Sequence, residues 1–392
     1  MNKFVMATAV STAALFAATG AMAQASKPTL TVGGFVDSKF SVNKQDDAFT
    51  AANGARVNFD QRQDGEVHFN GAVTLDNGIK IRSRVELEAF TPNDNVNDVF
   101  NFTNGANSQG DTIDEAWLDI AGSFGALRLG STDPASMRMT TGHQATFFMN
   151  VGENTRFNSR SLIRAPATVA TSTVSQLDLT SDAENVSYVT PRFLGFQLGG
   201  NYASTSFEDS SQNTLKSQGA LSDIYGVAIN WAGKFDAVGI SVAAGYTAGN
   251  TTNSNANNPE QWSLGGRVTF GGFAVGLSTQ QNDCSAVGTA FGNGCAAGVT
   301  YEESIYEAGI RYIAGPNQFS VVGAWAEVDS NQAAQNGDES KVYSIAYART
   351  LGPGVEWQTT LHIADYNDGL AGAPAGNSND GYGVTTGILL NF

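Results

Sequence analysis

The chain has 392 residues, of which 37 are acidic and 21 are Lys or Arg, so that its formal net charge is −16. This charge repels nucleic-acid phosphates and argues against a nucleic-acid partner, whereas a hydrophobic content of 41% argues against a disordered chain. Beyond the N-terminus, no apolar run approaches the roughly 18–20 residues that a membrane-spanning helix requires.

The N-terminus has the pattern of a secretory signal peptide. A positive charge at Lys3 precedes an apolar stretch over residues 4–18, and the small residues of 21–23 follow. This order predicts a signal peptide at 1–23, with cleavage two residues later as the alternative. The mature chain, 24–392, is then either soluble after export or inserted in a membrane as a barrel of strands.

Residues 79–89 show an alternation that separates these two classes. Every second residue is apolar or small, and the residues between them are charged: Lys80, Arg82, Arg84, Glu86 and Glu88. A strict period of two indicates a β-strand with one apolar and one polar face, whereas a helix would scatter these charges around its circumference. Such faces are typical of a strand between lipid and a water-filled lumen.

The same alternation recurs along the chain, over residues 196–202, 225–231, 262–270 and 355–363. Aromatic residues stand at the ends of several apolar stripes, as Tyr225 and Trp231 do. The interfacial girdles of a transmembrane barrel produce this placement.

Short turns rich in Gly, Asn or Pro are predicted near Asn77, Ser123, Leu194, Phe235, Gly272, Pro316 and Pro353. The intervals between them fit two strands of about ten residues and one long polar loop. Seven turns and eight long connections predict sixteen strands, an even number that lets an antiparallel barrel close without free edges. The last strand ends at Phe392 and is expected to pair with the first, at about 29–42.

One connection, from about Thr132 to Asp182, is far longer than the others. A segment of this length without secondary structure is uncommon unless it is functional. A sixteen-stranded barrel encloses an aqueous lumen, so this third loop is predicted to fold inward and constrict the pore. The predicted fold is therefore all-β, a sixteen-stranded antiparallel transmembrane β-barrel with a long inward-folded third loop.

Several stretches resemble the Gram-negative general porins. They are 75–78, 84–88, 115–118, 125–130 and 188–196, together with the terminal Phe392. The resemblance spans the mature chain and implies homotrimers of sixteen-stranded outer-membrane barrels, each with a pore for passive diffusion of small hydrophilic solutes and ions. The partners expected are outer-membrane lipid, lipopolysaccharide, the solutes and further copies of the chain. The terminal aromatic residue would mark the chain for barrel assembly.

Strand parity predicts a basic wall inside the barrel. Its cations, from the first, second, third and fifth strands, would be Lys39, Arg56, Arg62, Lys80, Arg82, Arg84 and Arg128. The third loop would present an opposing acidic set, Asp133, Glu153, Asp178 and Asp182. A transverse field between the two would set ion selectivity. The alternative is that the charges of residues 82–88 pair with one another along the lining. The loop also contains arginines, so positive charge is not confined to the wall.

Further acidic residues fall in the predicted outer loops: Asp46, Asp47, Asp94, Asp98, Glu208, Asp209, Glu302, Glu303, Asp338 and Glu339. The simplest interpretation is that they are solvated. The alternative is weak binding of divalent cations that bridge to lipopolysaccharide phosphates, or a field that gathers cations at the mouth. No other cofactor is expected.

The remaining reactive side chains do not suggest catalysis. Cys284 and Cys295 share one loop of an exported chain, which predicts a disulfide. His68, His143 and His362 stand in no metal-ligand spacing, and His68 and His362 fall on inward faces, where a solvated lining is expected. The sequence contains no phosphate-binding glycine loop or zinc-protease motif, so no enzyme is expected.

Two other functions share part of this pattern. A substrate-specific channel on the same barrel would need a ladder of pocket residues, and neither an aromatic slide nor an arginine ladder is evident. A secreted, soluble β-rich adhesin or binding protein would not carry an apolar face on every strand and a terminal Phe392.

Overall fold

A computed structural model of the chain describes residues 27–55, 57–89, 113–152, 162–169, 171, 176–180, 182–206, 221–251, 256–284, 295–296 and 298–392. The predicted signal peptide, 1–23, lies outside these residues.

The described residues form one closed barrel of sixteen strands. The strands are β1 (Thr29–Gln45), β2 (Phe59–Thr74), β3 (Lys80–Glu88), β4 (Ile113–Gly122), β5 (Gly125–Ser131), β6 (Glu184–Val189), β7 (Phe196–Thr205), β8 (Leu221–Phe235), β9 (Val238–Thr251), β10 (Glu260–Phe270), β11 (Phe273–Asp283), β12 (Tyr301–Ala314), β13 (Asn317–Ser330), β14 (Glu339–Gly352), β15 (Val355–Asn367) and β16 (Asn379–Asn391).

Each strand pairs antiparallel with its neighbours, and β1 pairs with both β2 and β16. Phe35 lies opposite Asn391 where the ring closes, and the N–H of Gly34 donates to the carbonyl oxygen of Phe392 at 3.1 Å. In a closed ring each strand has a neighbour on both sides, so the backbone N–H and C=O groups of the wall bond to one another, as the bilayer interior requires. The predicted sixteen-stranded antiparallel barrel is confirmed.

The strands are joined by short turns at one end, the turn end, and by longer connections at the other, the loop end. All seven predicted turns are present. At one of them Leu194 and Gly195 both have positive φ, 49° and 87°. This backbone twist matches that of the flanking strands in a tight hairpin. In barrels of this type the turn end faces the periplasm.

The outward face of the barrel is an apolar belt bounded by aromatic side chains. Near the turn end, Phe273 stacks on Tyr312 with a centroid distance of 4.4 Å, and near the loop end, Tyr306 contacts Trp325 at 5.9 Å. Between these levels apolar side chains point outward, and Leu277 is 66% exposed. Tyr306 and Tyr312 share one strand and are separated by about 20 Å along it. This spacing suits the apolar layer of a bilayer between two interfacial girdles.

Within the described residues, three short α-helices accompany the strands: α1 (Asp47–Asn53), α2 (Ala135–Thr140) and α3 (Ala145–Met149). The helices α2 and α3 belong to the third loop and lie inside the barrel, where α2 contacts β6–β10 and α3 contacts β10–β13. The predicted inward folding of this loop is confirmed. Within the described ranges, no helix is long and apolar enough to cross a bilayer.

A covalent link stabilises the loop end of the barrel. Cys284 and Cys295 form a disulfide, and Tyr301 and Val328 pack against it. The short strands 256–257 and 295–296 pair beside it and join two neighbouring loops.

Candidate functional site: the passage beside the third loop

The inner wall anchors the third loop through hydrogen bonds. The N–H of Ala145 donates to the hydroxyl oxygen of Ser278 at 2.9 Å. The carboxylate of Glu307, which is only 4% exposed, accepts from the hydroxyl of Thr146 at 2.6 Å. These inward residues alternate with lipid-facing ones, and they supply the polar partners that a backbone segment needs where water is excluded.

Beyond α3 the loop continues over the last strands. A Cβ on Gly152 would lie 2.1 Å from the hydroxyl oxygen of Thr360 on β15, so only glycine allows this close approach. Farther along, Ile163 packs into an apolar cluster with Val342 and Tyr366. The described part of the loop therefore follows the inner wall from β6 round to the last strands.

The inner faces of β1–β5 form the part of the wall that this path leaves uncovered. Some described loop residues do make hydrogen bonds to this part of the wall. Near the start of the loop, Thr132 and Asp133 donate to Glu115 of β4. Farther along, the backbone N–H of Arg164 donates to the side-chain oxygen of Gln45 at 2.9 Å. We therefore place the candidate site in the space between the third loop and β1–β5.

On β1 and β2, each predicted cation has a carboxylate two residues away on the same face. Lys39 pairs with Asp37, and Arg62 pairs with Asp64 at 3.1 Å. Lys39 lies opposite Arg62 in the register, so the two ion pairs are adjacent. Arg56 lies outside the described residues.

On β3–β5, the carboxylate of Asp119 lies between two predicted cations. It pairs with Arg82 and approaches Arg128 at 3.8 Å, and both arginines lie opposite it in the register. The guanidinium of Arg128 also stacks over the Trp117 ring at 3.7 Å. Because Asp119 is only 3% exposed, its charge acts mainly on these two arginines.

Arg84 also has its partners on the wall. It donates to Glu86 at 2.6 Å and to Asn70 at 2.9 Å. This pairing along the lining is the alternative that the sequence left open. Lys80, at the start of β3, is exposed near the turn end. The field between a basic wall and an acidic loop stays a prediction.

The described acidic residues of the loop lie toward its two ends. Asp133 follows β5 and Asp182 precedes β6, and carboxylate oxygens of both lie with one of Glu115 within 4.8 Å of one another. The position of Glu115 is fixed because it accepts from the Thr132 hydroxyl at 2.7 Å and from the N–H of Asp133 at 3.1 Å. Glu153 lies outside the described residues.

Burial and mutual repulsion weaken the acidity of this cluster. Burial, followed by the charges of Asp178 and Glu115, raises the pKa of Asp133 to about 7. Burial and the charge of Asp133 raise the pKa of Asp182 to about 10. At neutral pH, Asp182 therefore holds a proton and Asp133 is partly ionised, so the cluster carries less charge than its composition suggests.

An arginine of the loop lies beside this cluster. The Nε of Arg138 donates to the carbonyl oxygen of Asp133 at 3.0 Å. Burial and the charge of Arg128 lower the pKa of Arg138 to about 10, so it stays charged at neutral pH. Both signs of charge therefore occur within the loop itself.

The model of the Gram-negative porin family matches residues 7–369 of the chain. The chain belongs to the Gram-negative porin family. No match to a curated protein was found. The porin forms an outer-membrane channel for passive diffusion of small hydrophilic solutes.

Solved structures agree with the fold of the porin. An anion-selective porin from Comamonas acidovorans is 18% identical, with a TM-score of 0.60 over 93% of this chain and 100% of that one. A second solved porin is 16% identical, with a TM-score of 0.58 over 93% and 100%. OmpT of Vibrio cholerae, in a trimer form, is 10% identical, with a TM-score of 0.57 over 94% and 100%. At these identities the likeness supports the barrel alone.

Two carboxylates of the porin that the sequence placed in solvated outer loops are buried. Glu303 is fully buried on the inward face of β12 and accepts from Asn282 at 2.8 Å. Asp338 is equally buried and accepts from the N–H of Gly369 at 3.0 Å. The interpretation as solvated residues is wrong for these two, because each satisfies a neighbouring donor. Four other members of that set, Asp94, Asp98, Glu208 and Asp209, lie outside the described residues.

The two inward-facing histidines of the porin differ in burial, which strand parity does not predict. His68 faces inward and contacts Glu66 at 2.7 Å. His362 also faces inward, opposite Ser344, but it is fully buried. The expectation of a solvated lining is wrong for His362, because strand parity gives the direction of a side chain and not what covers it.

The sequence interpretation overlooked the carboxylates of β4. Glu115 and Asp119 alternate with outward-facing residues such as Leu118, which is 39% exposed. The period-two rule applied to this strand would have placed both carboxylates inward beside the predicted cations.

Proposed function

We propose that solutes cross the porin through the passage between the third loop and the inner faces of β1–β5. We also propose that this passage discriminates little among small hydrophilic solutes. The observation that carries the proposal is the path of the described loop residues, which follow the wall from β6 to the last strands. The part of the wall that the described loop residues leave uncovered carries charged groups that replace water around a passing solute.

We propose a weak preference for cations. The inward acidic residues of β1–β5 are Asp37, Asp60, Asp64, Glu66, Glu86, Glu88, Asp114, Glu115 and Asp119, and the inward basic ones are Lys39, Arg62, Lys80, Arg82, Arg84 and Arg128. The acidic set is the larger, and the net charge of −16 has the same sign. The preference is weak because ion pairs neutralise much of the lining and salt screens distant loops.

Passive transport without covalent chemistry is part of the proposal. The lining charges are engaged in ion pairs along the wall, such as Arg84 with Glu86, which suits a polarised lining better than a catalytic centre. The porin is then a channel and not an enzyme, and a solute should leave the pore chemically unchanged.

We propose that the porin assembles as a homotrimer in outer-membrane lipid with lipopolysaccharide around it. The apolar belt and its aromatic girdles support the lipid contact. Exposed outer carboxylates such as Asp47 would bind divalent cations weakly and bridge them to lipopolysaccharide phosphates. Chemical cross-linking in the membrane tests the trimer, and mass spectrometry after extraction with and without a chelator tests the cation-bridged lipid.

Liposome swelling with uncharged sugars of increasing size tests the transport proposal. The expected rates fall smoothly with sugar size, because no subsite favours one sugar. A KCl gradient across a planar bilayer should give a small reversal potential of the sign expected for cation preference. Saturable uptake of one sugar far above its size class would instead support a substrate-specific channel, and absence of swelling would reject the passage.

A further inference from the structure

Two arginines point into the barrel on the wall across from β1–β5. Arg267 of β10 lies opposite Gly276 of β11, and Arg311 of β12 lies opposite Ala274 of the same strand. The two arginines therefore flank β11, whose inward side chains are small at this level. Both arginines lie three residues from the ends of their strands, near the turn end.

One aromatic ring of the third loop holds both guanidinium groups. The guanidinium carbon of Arg267 lies 3.4 Å from the centre of the Phe148 ring, and that of Arg311 lies 4.5 Å from it. Arg267 also donates to the carbonyl oxygen of Gly142 at 2.7 Å, and Arg311 donates to that of Phe148 at 3.1 Å. Stacking and hydrogen bonding together fix the orientation of both groups.

Among the described residues, no carboxylate neutralises these two charges. Neither Arg267 nor Arg311 forms an ion pair with a carboxylate of the described chain, in contrast to Arg82 and Arg128, which share Asp119. Two like charges on one ring repel each other, and their separation cannot exceed the sum of their distances from the ring centre. An anion bound to both guanidinium groups would offset this repulsion.

The same place has an unsatisfied hydrogen-bond donor. The Nε of Arg311 is buried and has no hydrogen-bond partner among the described residues. A buried N–H without an acceptor is uncommon and unfavourable. Nearby, burial and then the positive charges of Arg267 and Arg192 lower the pKa of His143 to about 4.

We propose that Arg267 and Arg311, held on Phe148, form a binding site for a small oxyanion on the turn side of the third loop. The ligand class is a free phosphate or a carboxylate, because a planar guanidinium presents parallel donors to the oxygens of such groups. The inference rests on the proposed function, since a solute reaches this site through the open pore. It adds an anion site to a pore whose other wall is acidic overall.

Single-channel recording in KCl, with inorganic phosphate or acetate added to one side at a time, tests this site. In the wild-type porin, both anions should reduce the current in a concentration-dependent manner, more strongly from one side. In Arg267→Gln/Arg311→Gln, the concentration needed for the same reduction should rise about ten-fold or more. Lys at both positions should give an intermediate effect, because the charge remains and the paired planar donors are lost.

Arg349→Gln is the matched control. Arg349 lies three residues from the end of β14, opposite Trp357 on the outward face, and should leave the anion effect unchanged. An anion effect that persists in the double variant, that is lost equally in Arg349→Gln, or that is absent from the wild type overturns the proposal. KCl conductance measured without added anion separates the anion site from the proposed passage. If the wild type conducts but shows no anion effect, only the anion site is rejected. If the wild type does not conduct, both the passage and the anion site are rejected.

Discussion

Asp119 shows how one buried carboxylate limits the charge of a pore wall. It pairs with Arg82 and approaches Arg128 at 3.8 Å, and it is only 3% exposed. A count of arginines on these strands therefore overestimates their effect on passing ions, because part of their charge is neutralised in place.

Replacing this carboxylate should expose the two arginines. In Asp119→Asn the reversal potential in a KCl gradient should move toward anions, since a negative charge is lost beside two unneutralised guanidinium groups. The barrel should also lose about 1–3 kcal/mol of stability, which urea unfolding in detergent would measure. Asp329→Asn is the control, because Asp329 is exposed on the outward face of β13 and should change neither quantity.

The acidic ends of the third loop predict a pH-dependent selectivity. Because the pKa of Asp133 is raised to about 7, this carboxyl gains a proton as the pH falls through that value. The cation preference should therefore be larger at pH 8 than at pH 6. Asp133→Asn should remove most of this difference.

The neighbouring Asp182 supplies an internal control. Its pKa is raised to about 10, so it is protonated throughout this range and Asp182→Asn should leave the reversal potential unchanged at pH 8. A shift as large as that of Asp133→Asn would show that the negative charge resides on Asp182 instead.

At the scale of elements, the third loop depends on a few anchors in the wall. Glu307 accepts from Thr146 at 2.6 Å and from Ser278 at 2.7 Å, and it is buried beneath α3. In Glu307→Ala both donors lose their acceptor, so the loop should move farther from the wall. We expect noisier single-channel currents and faster proteolysis within the loop. Glu302→Ala, on the exposed face of the same strand, should behave as the wild type.

The disulfide of the loop end should contribute locally. Closing so short a segment contributes about 2–3 kcal/mol at most, and only to the loop between Cys284 and Cys295. Replacing both cysteines with serine should increase proteolysis of this loop while heat-modifiable migration of the barrel stays unchanged. Loss of the folded barrel would contradict this separation.

The strands and turns were predictable because their signals are local. Alternation along residues 79–89 fixes which side chains point inward, and Leu194–Gly195 provides the positive φ angles of a tight turn. The path of the loop was not predictable in this way. Its anchors, Ser278 and Glu307, stand far from it in the sequence and resemble many other inward polar residues.

The candidate site was predictable only in part, because its contacts join residues that are distant in the sequence. Parity placed Arg82 and Arg128 on the inward face, but their pairing with Asp119 depends on the register of three strands. The Arg267–Phe148–Arg311 contact joins two strands and the loop, so no local pattern indicates it.

At the scale of the whole molecule, the closed ring of strands and the inward loop divide the lumen into two regions. Apart from the contacts with Glu115 and Gln45, the described loop residues occupy the side of β6–β16, and the charged faces of β1–β5 border the remaining space. The predictions on ion selectivity depend on this division, because it decides which side chains a passing solute meets.

Reaction of engineered cysteines with a bulky charged thiosulfonate during single-channel recording tests this division most directly. Both native cysteines are bonded to each other, so an introduced thiol is the only one available. Arg84→Cys, on the uncovered wall, should react and reduce the current. Ser344→Cys, on the inward face of β14 at 1% exposure, should not respond. A current drop in Ser344→Cys, with none in Arg84→Cys, would contradict the account.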